Sequence, residues 1–455
     1  MKKKKLLALM LGMVLMLSMF VFTACGDDED TGGDEPEVEE VDDNGDEPDP
    51  EPDDGYDNGD EPDGDEPEDT AFGGETITMW IDNPYYGEAL VAALSQRFPD
   101  SSFEFEEVGG TYTLDRLRLD GPADIGADIL LFPHDQIPGA INENLLLPLG
   151  PDMVSAMHAR IPAQSVAAVQ QGGNYFGVPL RMESVALFYN LDLLGEAGLE
   201  VPTTWEEIID AATDYNDPAN NEFLIRWEAG NAFFNQFALT AHGFELFGPN
   251  HDNADAINFD TPEAIEGLEW FAGLREILPV PYGDLNWDTV HGAFVAGEVP
   301  LIITGPWSIS YIVNDGAGFD WGITTIPTIN GVQPITFSGN HIAAGSAFTD
   351  YPDLTRAVLE FMMSDDGLQL VYDELGVMPA LMDVSAISGL ADDQFLAGIA
   401  AQIDHSHLMP AIPEMDQFWS PAEGMYRAVW EGLLTPEEAA ESAIEDFEAA
   451  RALAE

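Results

Sequence analysis

Segments with the pattern of β-strands alternate with helical segments along most of the chain, and this alternation constrains the fold more than any other sequence feature. Residues 76–81 are β-branched or apolar throughout, which is typical of a buried strand, and residues 88–98 have a helical pattern. Residues 102–108 alternate like a second strand, and residues 128–132 form a short apolar third. Strands that alternate with helices predict parallel sheets of the α/β class.

The same alternation continues to the C-terminus. The later strand-like segments are 175–179, 184–189 and 299–304, and the later helical segments include 262–278 and 436–454. Thr204 and Glu207 have the spacing of a capping box at the start of a helix, in which we expect Trp205 to pack in the core. Roughly 380 residues follow residue 74, and a segment of that length exceeds one hydrophobic core, so we expect two domains.

Residues 26–74 form a segment of another kind. They contain 25 acidic side chains and no basic one, and Gly-Asp-Glu-Pro recurs in them, first at 33–36 and 45–48. Such a segment has too little apolar surface to offset its ordering entropy, and like charges extend it further. We therefore predict a disordered acidic stalk over 25–74, with a reach of up to roughly 150 Å. Calcium binding is the other interpretation, but no stretch has the EF-hand loop spacing.

The formal net charge of −71 excludes some classes of partner. A strongly negative field repels nucleic acid and anionic membrane surfaces, so we expect neither as a partner. No lysine follows Lys5, and the cations beyond it are arginines, which stay charged at any biological pH. Solubility at high salt or alkaline pH is the role that we expect for this charge.

The N-terminus has the features of an export signal. Lys2 to Lys5 precede an apolar run over 6–22, and small residues lead to Cys25, the only cysteine of the chain. The run 22–25 resembles a bacterial lipobox, which implies a signal peptide over 1–24 and a lipid on Cys25 that tethers the chain to the extracellular face of the cell membrane. The alternative is an uncleaved membrane anchor, for which the apolar run is short. A single cysteine also excludes an intramolecular disulfide.

Seven stretches follow one another in the order and at the spacings of a known family. They are residues 128–136, 144–149, 177–190, 202–207, 305–307, 409–415 and 418–419. Together they resemble the maltodextrin-binding members of the extracellular solute-binding proteins of sugar ABC importers, and the resemblance covers essentially all of 75–455. It implies the two-lobe periplasmic-binding-protein fold of the α/β class, with a hinge and a ligand cleft between the lobes.

The resemblance also implies where the lobes divide. Lobe one comprises 75–182 and 328–378, and lobe two comprises 183–327 and 379–455. Ligand then binds between the lobes and favours their closed arrangement by its differential affinity. No cofactor and no metal is implied.

The matching motifs carry eight candidate ligand-binding residues. They are Asp82, Phe132, Asp135, Glu183, Asn231, Phe233, Trp307 and Trp419. Rigid aromatic rings suit the apolar C–H faces of a sugar, and carboxylates accept strong hydrogen bonds from its hydroxyls. The resemblance therefore implies that the tryptophans and Phe132 stack on sugar rings, while the carboxylates accept hydroxyl protons. Whether Phe233 or Phe234 faces the ligand stays open.

Several candidates also have a structural interpretation. Phe132 is as readily a core residue, Trp419 a packing residue, and Asp135 a cap for the helix that follows it. Glu183 has Arg181 two residues before it in the sequence, so the two side chains are candidates for an ion pair on the surface.

The sequence also departs from the family at several positions. Asn83 stands where the family has a lysine, and Gln136 and Glu423 stand where arginines are common. These changes remove the expected cations from the cleft and bear on the identity and length of the sugar.

These observations favour a monomeric, lipid-anchored binding protein that delivers maltodextrin-type oligosaccharides to the permease subunits of an ABC importer. A protein for a different oligosaccharide is the first alternative. A surface-anchored glycoside hydrolase is the second, because carboxylates and the adjacent His134 and Asp135 could serve acid–base chemistry. His405 and His407 without a third ligand are weak signs of a metal site. No nucleophile elbow, P-loop or dinucleotide motif occurs, so we expect no enzyme.

Overall fold

The computed structural model describes residues 72–454, which fold around two main β-sheets and contain a small third sheet of two strands, Gln170–Gln171 and Asn174–Tyr175. The signal peptide, Cys25 and the stalk up to residue 71 lie outside the described residues. The strands in chain order are β1 (Thr76–Ile81), β2 (Ser102–Glu107), β3 (Ile129–Pro133), β4 (Gln170–Gln171), β5 (Asn174–Tyr175), β6 (Val178–Ser184), β7 (Ala186–Asn190), β8 (Ile225–Trp227), β9 (Leu301–Thr304), β10 (Trp321–Thr324), β11 (Thr336–Gly345), β12 (Met378–Pro379) and β13 (Ser406–Leu408).

Helices pack around both sheets. They are Pro84–Arg97, Thr113–Asp120, Ile137–Asn142, Pro151–Arg160, Ala163–Ala168, Leu191–Ala197, Trp205–Tyr215, Ala232–Thr240, Pro262–Gly273, Trp287–Val295, Ile309–Asn314, Pro352–Met363, Asp365–Leu375, Gln394–Ile403, Met415–Trp430 and Pro436–Ala454. The capping box predicted at Thr204 is confirmed, because its side chain accepts from the Glu207 N–H while the Glu207 carboxylate accepts from the Thr204 N–H. No helix within 72–454 is long and apolar enough to cross a membrane.

The larger sheet has seven strands in the order β12-β6-β11-β3-β1-β2, with β13 beside β11. β1 runs parallel to β2 and β3, whereas β11 runs antiparallel to β3 and β6. The sheet is therefore mixed, and the prediction of parallel strands holds for β1, β2 and β3 but not for β11. β11 runs the other way because the chain enters it from the smaller sheet and not through a helical crossover that would return it in parallel.

The smaller sheet has four strands in the order β10-β7-β9-β8. β7 is antiparallel to both of its neighbours, and β8 and β9 are parallel. Its buried face packs on an aromatic core in which Trp205 and Trp227 lie 5.8 Å apart and Trp227 and Trp430 lie 5.6 Å apart, both edge to face. Trp205 is fully buried, so its predicted packing role is confirmed.

Two segments connect the two main sheets. β6 leads into β7 through the single buried residue Val185, and a loop joins β10 to β11. The helix Gln394–Ile403, between β12 and β13 of the larger sheet, packs against strands of both sheets. The predicted lobe boundaries place β13 in lobe two, although it pairs with β11; the division into lobes stays a prediction.

A buried hydrogen-bond network joins these connections. The side-chain amide of Gln402 donates to the Thr336 hydroxyl at 2.9 Å and accepts from the Ile326 N–H at 2.7 Å. The Thr336 hydroxyl lies 2.7 Å from the hydroxyl of Ser184, the last residue of β6. Because all three side chains are buried, breaking one bond would leave a buried polar group unpaired.

Candidate ligand-binding site

Four charged or titratable side chains meet where strands of the larger sheet end. Asp82 directly follows β1, Arg181 and Glu183 lie on β6, and His341 lies on β11. His341 stands opposite Arg181 in the register, and the alternation of side chains along β6 puts Glu183 on the same face. The end of a sheet beyond the carboxyl termini of its parallel strands is where α/β proteins commonly bind ligands.

The Asp82 carboxylate is held on one oxygen only. Its Oδ2 accepts from Arg181 Nη2 at 2.6 Å and lies 3.3 Å from His341 Nε2. Its Oδ1 is buried and has no partner among the described residues. Burial pushes the pKa of Asp82 upward, but the charges of Arg181 and His341 outweigh burial and leave this pKa below its usual value.

Glu183 lies against the same two side chains. Its carboxylate oxygens are 3.5 Å from Arg181 Nε and 3.7 Å from His341 Nδ1. Here too burial raises the pKa, and the bond and charge of His341, followed by the charge of Arg181, lower it below the usual value. Glu183 and Arg181 thus form an ion pair, but a buried one and not the predicted surface pair, and His341 is a second neighbour of Glu183.

Asp135 lies on the 3-10 turn His134–Gln136 beyond β3 and is buried. Its Oδ2 accepts from Trp419 Nε1 at 3.1 Å, while its buried Oδ1 has no partner among the described residues. Burial raises the pKa of Asp135 to about 6. The helix Ile137–Asn142 has no side-chain cap, so the alternative that Asp135 caps it is wrong.

His134 has a structural role. Its Nδ1 accepts from the Asn340 N–H at 3.2 Å, which leaves Nε2 to donate to the Met409 carbonyl at 3.1 Å. Burial lowers the pKa of His134 to about 4, so both bonds fit a neutral imidazole. With both nitrogens engaged, His134 has no free group for acid–base chemistry beside Asp135.

Three candidate aromatic residues gather around Phe337, a buried residue of β11. The ring of Phe233 stacks on Phe337 at 6.1 Å, and Trp419 meets Phe337 edge to face at 5.9 Å. Trp307 lies 6.1 Å from Phe233. Phe233, Trp307 and Trp419 are each partly exposed, whereas Phe234 is 3% exposed, so Phe233 presents the more accessible ring.

Neighbouring residues fix two of these candidates. A Cβ at Gly305 would lie 2.1 Å from the Trp307 ring, so glycine lets this ring fold over the backbone before it. Asn231 caps the helix Ala232–Thr240, because its Oδ1 accepts from the Phe233 N–H at 3.0 Å. Asn231 thus positions the start of the helix that carries Phe233.

Phe132 requires a correction. Its side chain is fully buried in the core of the larger sheet, where β3 pairs with Ile342 of β11 at this residue. Stacking on a sugar needs an accessible ring face, which Phe132 does not present. The structure therefore supports the core interpretation for this residue and places the other seven candidates around one region.

Asn83, one of the positions that depart from the resemblance, has partners of its own. It caps the helix Pro84–Arg97 by accepting from the N–H groups of Tyr85 and Tyr86, and its Nδ2 donates to Ser310 at 3.0 Å. Arg181 is the cation that contacts the Asp82 carboxylate instead. The sequence did not predict His341 as a site residue. Only the register between β6 and β11 shows which buried strand residue faces these carboxylates.

The remaining histidine candidates do not form a metal site. His407 stacks on His251 at 4.0 Å, and burial followed by the His251 charge lowers its pKa to about 4. Among residues 72–454, no group of three or more metal-ligating side chains comes together.

The chain matches a family model described as bacterial extracellular solute-binding protein over residues 81–369. It is 28% identical over 381 residues to the galactooligosaccharide-binding protein of Bacillus subtilis, covering 82% of this chain and 88% of that protein. It is 23% identical over 321 residues to the maltooligosaccharide ABC transporter solute-binding lipoprotein of Streptococcus pneumoniae, covering 69% and 73%. A crystal structure of a cyclo/maltodextrin-binding protein complexed with maltotetraose matches with a TM-score of 0.66 and 27% identity, over 82% of this chain and 97% of that one.

Proposed function

The chain belongs to the bacterial extracellular solute-binding proteins, and we propose that it binds a neutral, maltodextrin-type oligosaccharide for a sugar ABC importer. The pairing of half-satisfied carboxylates with accessible aromatic rings carries this proposal. Asp82 and Asp135 each have one oxygen bonded by the protein and one buried oxygen that has no partner within residues 72–454. Partly exposed rings of Phe233, Trp307 and Trp419 lie in the same region.

A neutral sugar fits both features. Its hydroxyls donate hydrogen bonds to carboxylate oxygens, and its apolar C–H faces stack on aromatic rings. A buried acceptor without a partner costs about 1–3 kcal/mol. Ligand hydroxyls that satisfy the free oxygens of Asp82 and Asp135 would recover this cost on binding.

Titration calorimetry tests the proposal and its first alternative. Maltotriose, maltotetraose, a cyclodextrin, a galactooligosaccharide and an unrelated disaccharide are titrated into the protein in parallel. We expect heat with the α-linked glucans. Because a relative is named for galactooligosaccharides, that sugar is the most direct competitor. Heat with it alone would replace the maltodextrin assignment.

The aromatic contribution has its own test. We expect Trp307→Ala to weaken binding of the sugar, because an aromatic contact contributes about 0.5–1.5 kcal/mol. Trp307→Phe should keep part of the affinity that Trp307→Ala loses. Tyr351→Ala, which removes an aromatic residue 37% exposed elsewhere on the surface, is the matched control. Full affinity in Trp307→Ala would remove Trp307 from the site.

The hydrolase alternative is distinguished by product analysis. Incubation with maltotetraose is expected to leave the sugar intact, since a binding protein only needs to hold it. Shortened products from purified protein would instead establish a glycoside hydrolase.

We also propose that the chain acts as a lipoprotein and that the predicted lobes close on the sugar. Cys25, which lies outside the described residues, would carry the lipid. Metabolic labelling with a fatty-acid analogue is expected to modify the natural protein and not Cys25→Ala. Small-angle scattering is expected to show a smaller radius of gyration with the sugar than without it. An unlabelled natural protein or an unchanged radius would contradict the respective proposal.

A further inference from the structure

Asp82, Arg181, Glu183 and His341, which we call the ion cluster, are more deeply buried than ligand binding alone requires. The side chain of Arg181 is 4% exposed and that of His341 is 5% exposed, so both are withdrawn from solvent. They come from adjacent strands that pair at these two residues, and each lies 2.6–3.7 Å from both carboxylates. The pairing of β6 with β11 therefore fixes Arg181, Glu183 and His341, while Asp82 comes from the end of β1.

A glycine in the neighbouring backbone leaves room for the His341 ring. A Cβ at Gly110 would lie 2.6 Å from His341 Cε1, so any larger residue there would displace the imidazole. Gly110 is itself buried. The slot for the imidazole is built by the turn after β2, which belongs to a different part of the chain from β6 and β11.

The charges of the cluster have few other partners. His134 and Asp135 lie close enough to Glu183 to interact with its charge, and Tyr86 and Tyr311 interact with Asp82 and Arg181. None of these four groups is a cation in its ordinary state within the buried site. Asn83, at the position where the family has a lysine, uses its Oδ1 as a cap and its Nδ2 on Ser310.

A purely structural ion pair would be expected to satisfy both oxygens of its carboxylate. Here Arg181 and His341 both lie against Oδ2 of Asp82, and the buried Oδ1 has no partner among residues 72–454. We infer that Arg181 and His341 are positioning residues for sugar binding, which fix the Asp82 and Glu183 carboxylates as acceptors. This inference rests on the proposed binding of a neutral oligosaccharide.

Affinity measured against pH tests the inference. The sugar that binds the natural protein is titrated between pH 5.5 and 9 into Arg181→Met, Arg181→Lys and His341→Gln. We expect Arg181→Met to lose about tenfold to a hundredfold in affinity, the range for a lost hydrogen bond to a charged group. The loss should grow as pH falls, because carboxylates without their cation protonate closer to neutral pH. Arg181→Lys keeps the charge and should restore part of the affinity and the natural pH profile.

Further variants distinguish a loss of carboxylate positioning from a loss of folding. Arg356→Met removes an arginine whose partners are exposed Asp353 and the Pro148 carbonyl, neither of which belongs to the site, and it should bind like the natural protein. If Arg181→Met does not fold, Gly110→Ala displaces His341 while keeping every charged residue, and it should also weaken binding.

Each outcome decides the inference. Natural affinity in folded Arg181→Met, or natural affinity in both His341→Gln and Gly110→Ala, would overturn it. A loss that is equal at every pH and is not relieved by lysine would show a purely structural role and would overturn it as well. If the natural protein binds no saccharide, the proposed function fails. If the natural protein binds and the variants are unchanged, only this inference fails.

Discussion

Asp135→Asn is expected to make the protein more stable and a weaker binder at the same time. The natural carboxylate is 2% exposed, and burial raises its pKa from 3.8 to about 6. One pKa unit corresponds to 1.36 kcal/mol, so ionising this group in the folded protein costs about 3 kcal/mol at pH values above both pKa values. The neutral amide avoids this cost, and its oxygen can still accept from Trp419 Nε1.

The sign of the pH dependence follows from the same pKa values. Below about pH 3.8 the carboxyl is protonated in both states, and its burial costs no ionisation energy. Between pH 3.8 and about 6 the unfolded state releases the proton first, so the folded state loses stability as pH rises. Above about pH 6 the full cost is present. The advantage of Asp135→Asn should therefore be absent near pH 3.5 and reach about 3 kcal/mol near pH 8.

Urea unfolding at a series of pH values measures this directly, with titration calorimetry on the same samples. Asp353→Asn, which changes a carboxylate whose side chain is 87% exposed, is the control and should show no such trend. Affinity should fall by about tenfold or more, because the amide presents a donor where the ligand hydroxyl needs an acceptor. An Asn variant without a stability gain at pH 8, or with unchanged affinity, would refute the reasoning.

Three further substitutions separate binding from folding. Gly305→Ala forces the Trp307 ring to move and should weaken binding by up to about tenfold in calorimetry, with unfolding nearly unchanged; equal affinity would contradict it. Phe132→Ala should lower the free energy of unfolding by about 3–5 kcal/mol and leave the affinity of the folded protein unaltered, whereas a selective loss of affinity would restore Phe132 to the site. Thr204→Ala removes a cap and should reduce stability by about 1 kcal/mol in urea unfolding without affecting binding; no change in stability would disprove the role of the cap.

Local signals in the sequence predicted individual elements well. The strand over 76–81 and the helix over 436–454 have the predicted bounds, since each is specified by its own apolar pattern and flanking residues. The helix predicted over 88–98 begins instead at Pro84, because Asn83 caps it and proline is favourable in the first turn. That cap was visible in the sequence and explains the difference.

Long-range pairing could not be predicted in the same way. The direction of β11 and its place between β6 and β3 depend on how the chain returns from the smaller sheet. The same pairing brings His341 to Arg181 and buries Phe132 beside Ile342. A one-residue change in register would exchange the two faces of the strand, so no local pattern distinguishes a core side chain from a ligand-facing one there.

Val185, the single residue between β6 and β7, is a point at which a backbone rotation would move the two sheets relative to each other. Glu183 lies two residues from Val185. A small rotation at Val185 would therefore move the Glu183 carboxylate only slightly, but it would move the far ends of the two sheets much more. Cys25, the only cysteine of the chain, lies outside residues 72–454. A cysteine introduced into the folded part of a protein without Cys25 would therefore carry its only thiol. A dye attached to a cysteine at exposed Leu433 would then be the only label on residues 72–454, and its signal would serve to follow the proposed closure on a saccharide.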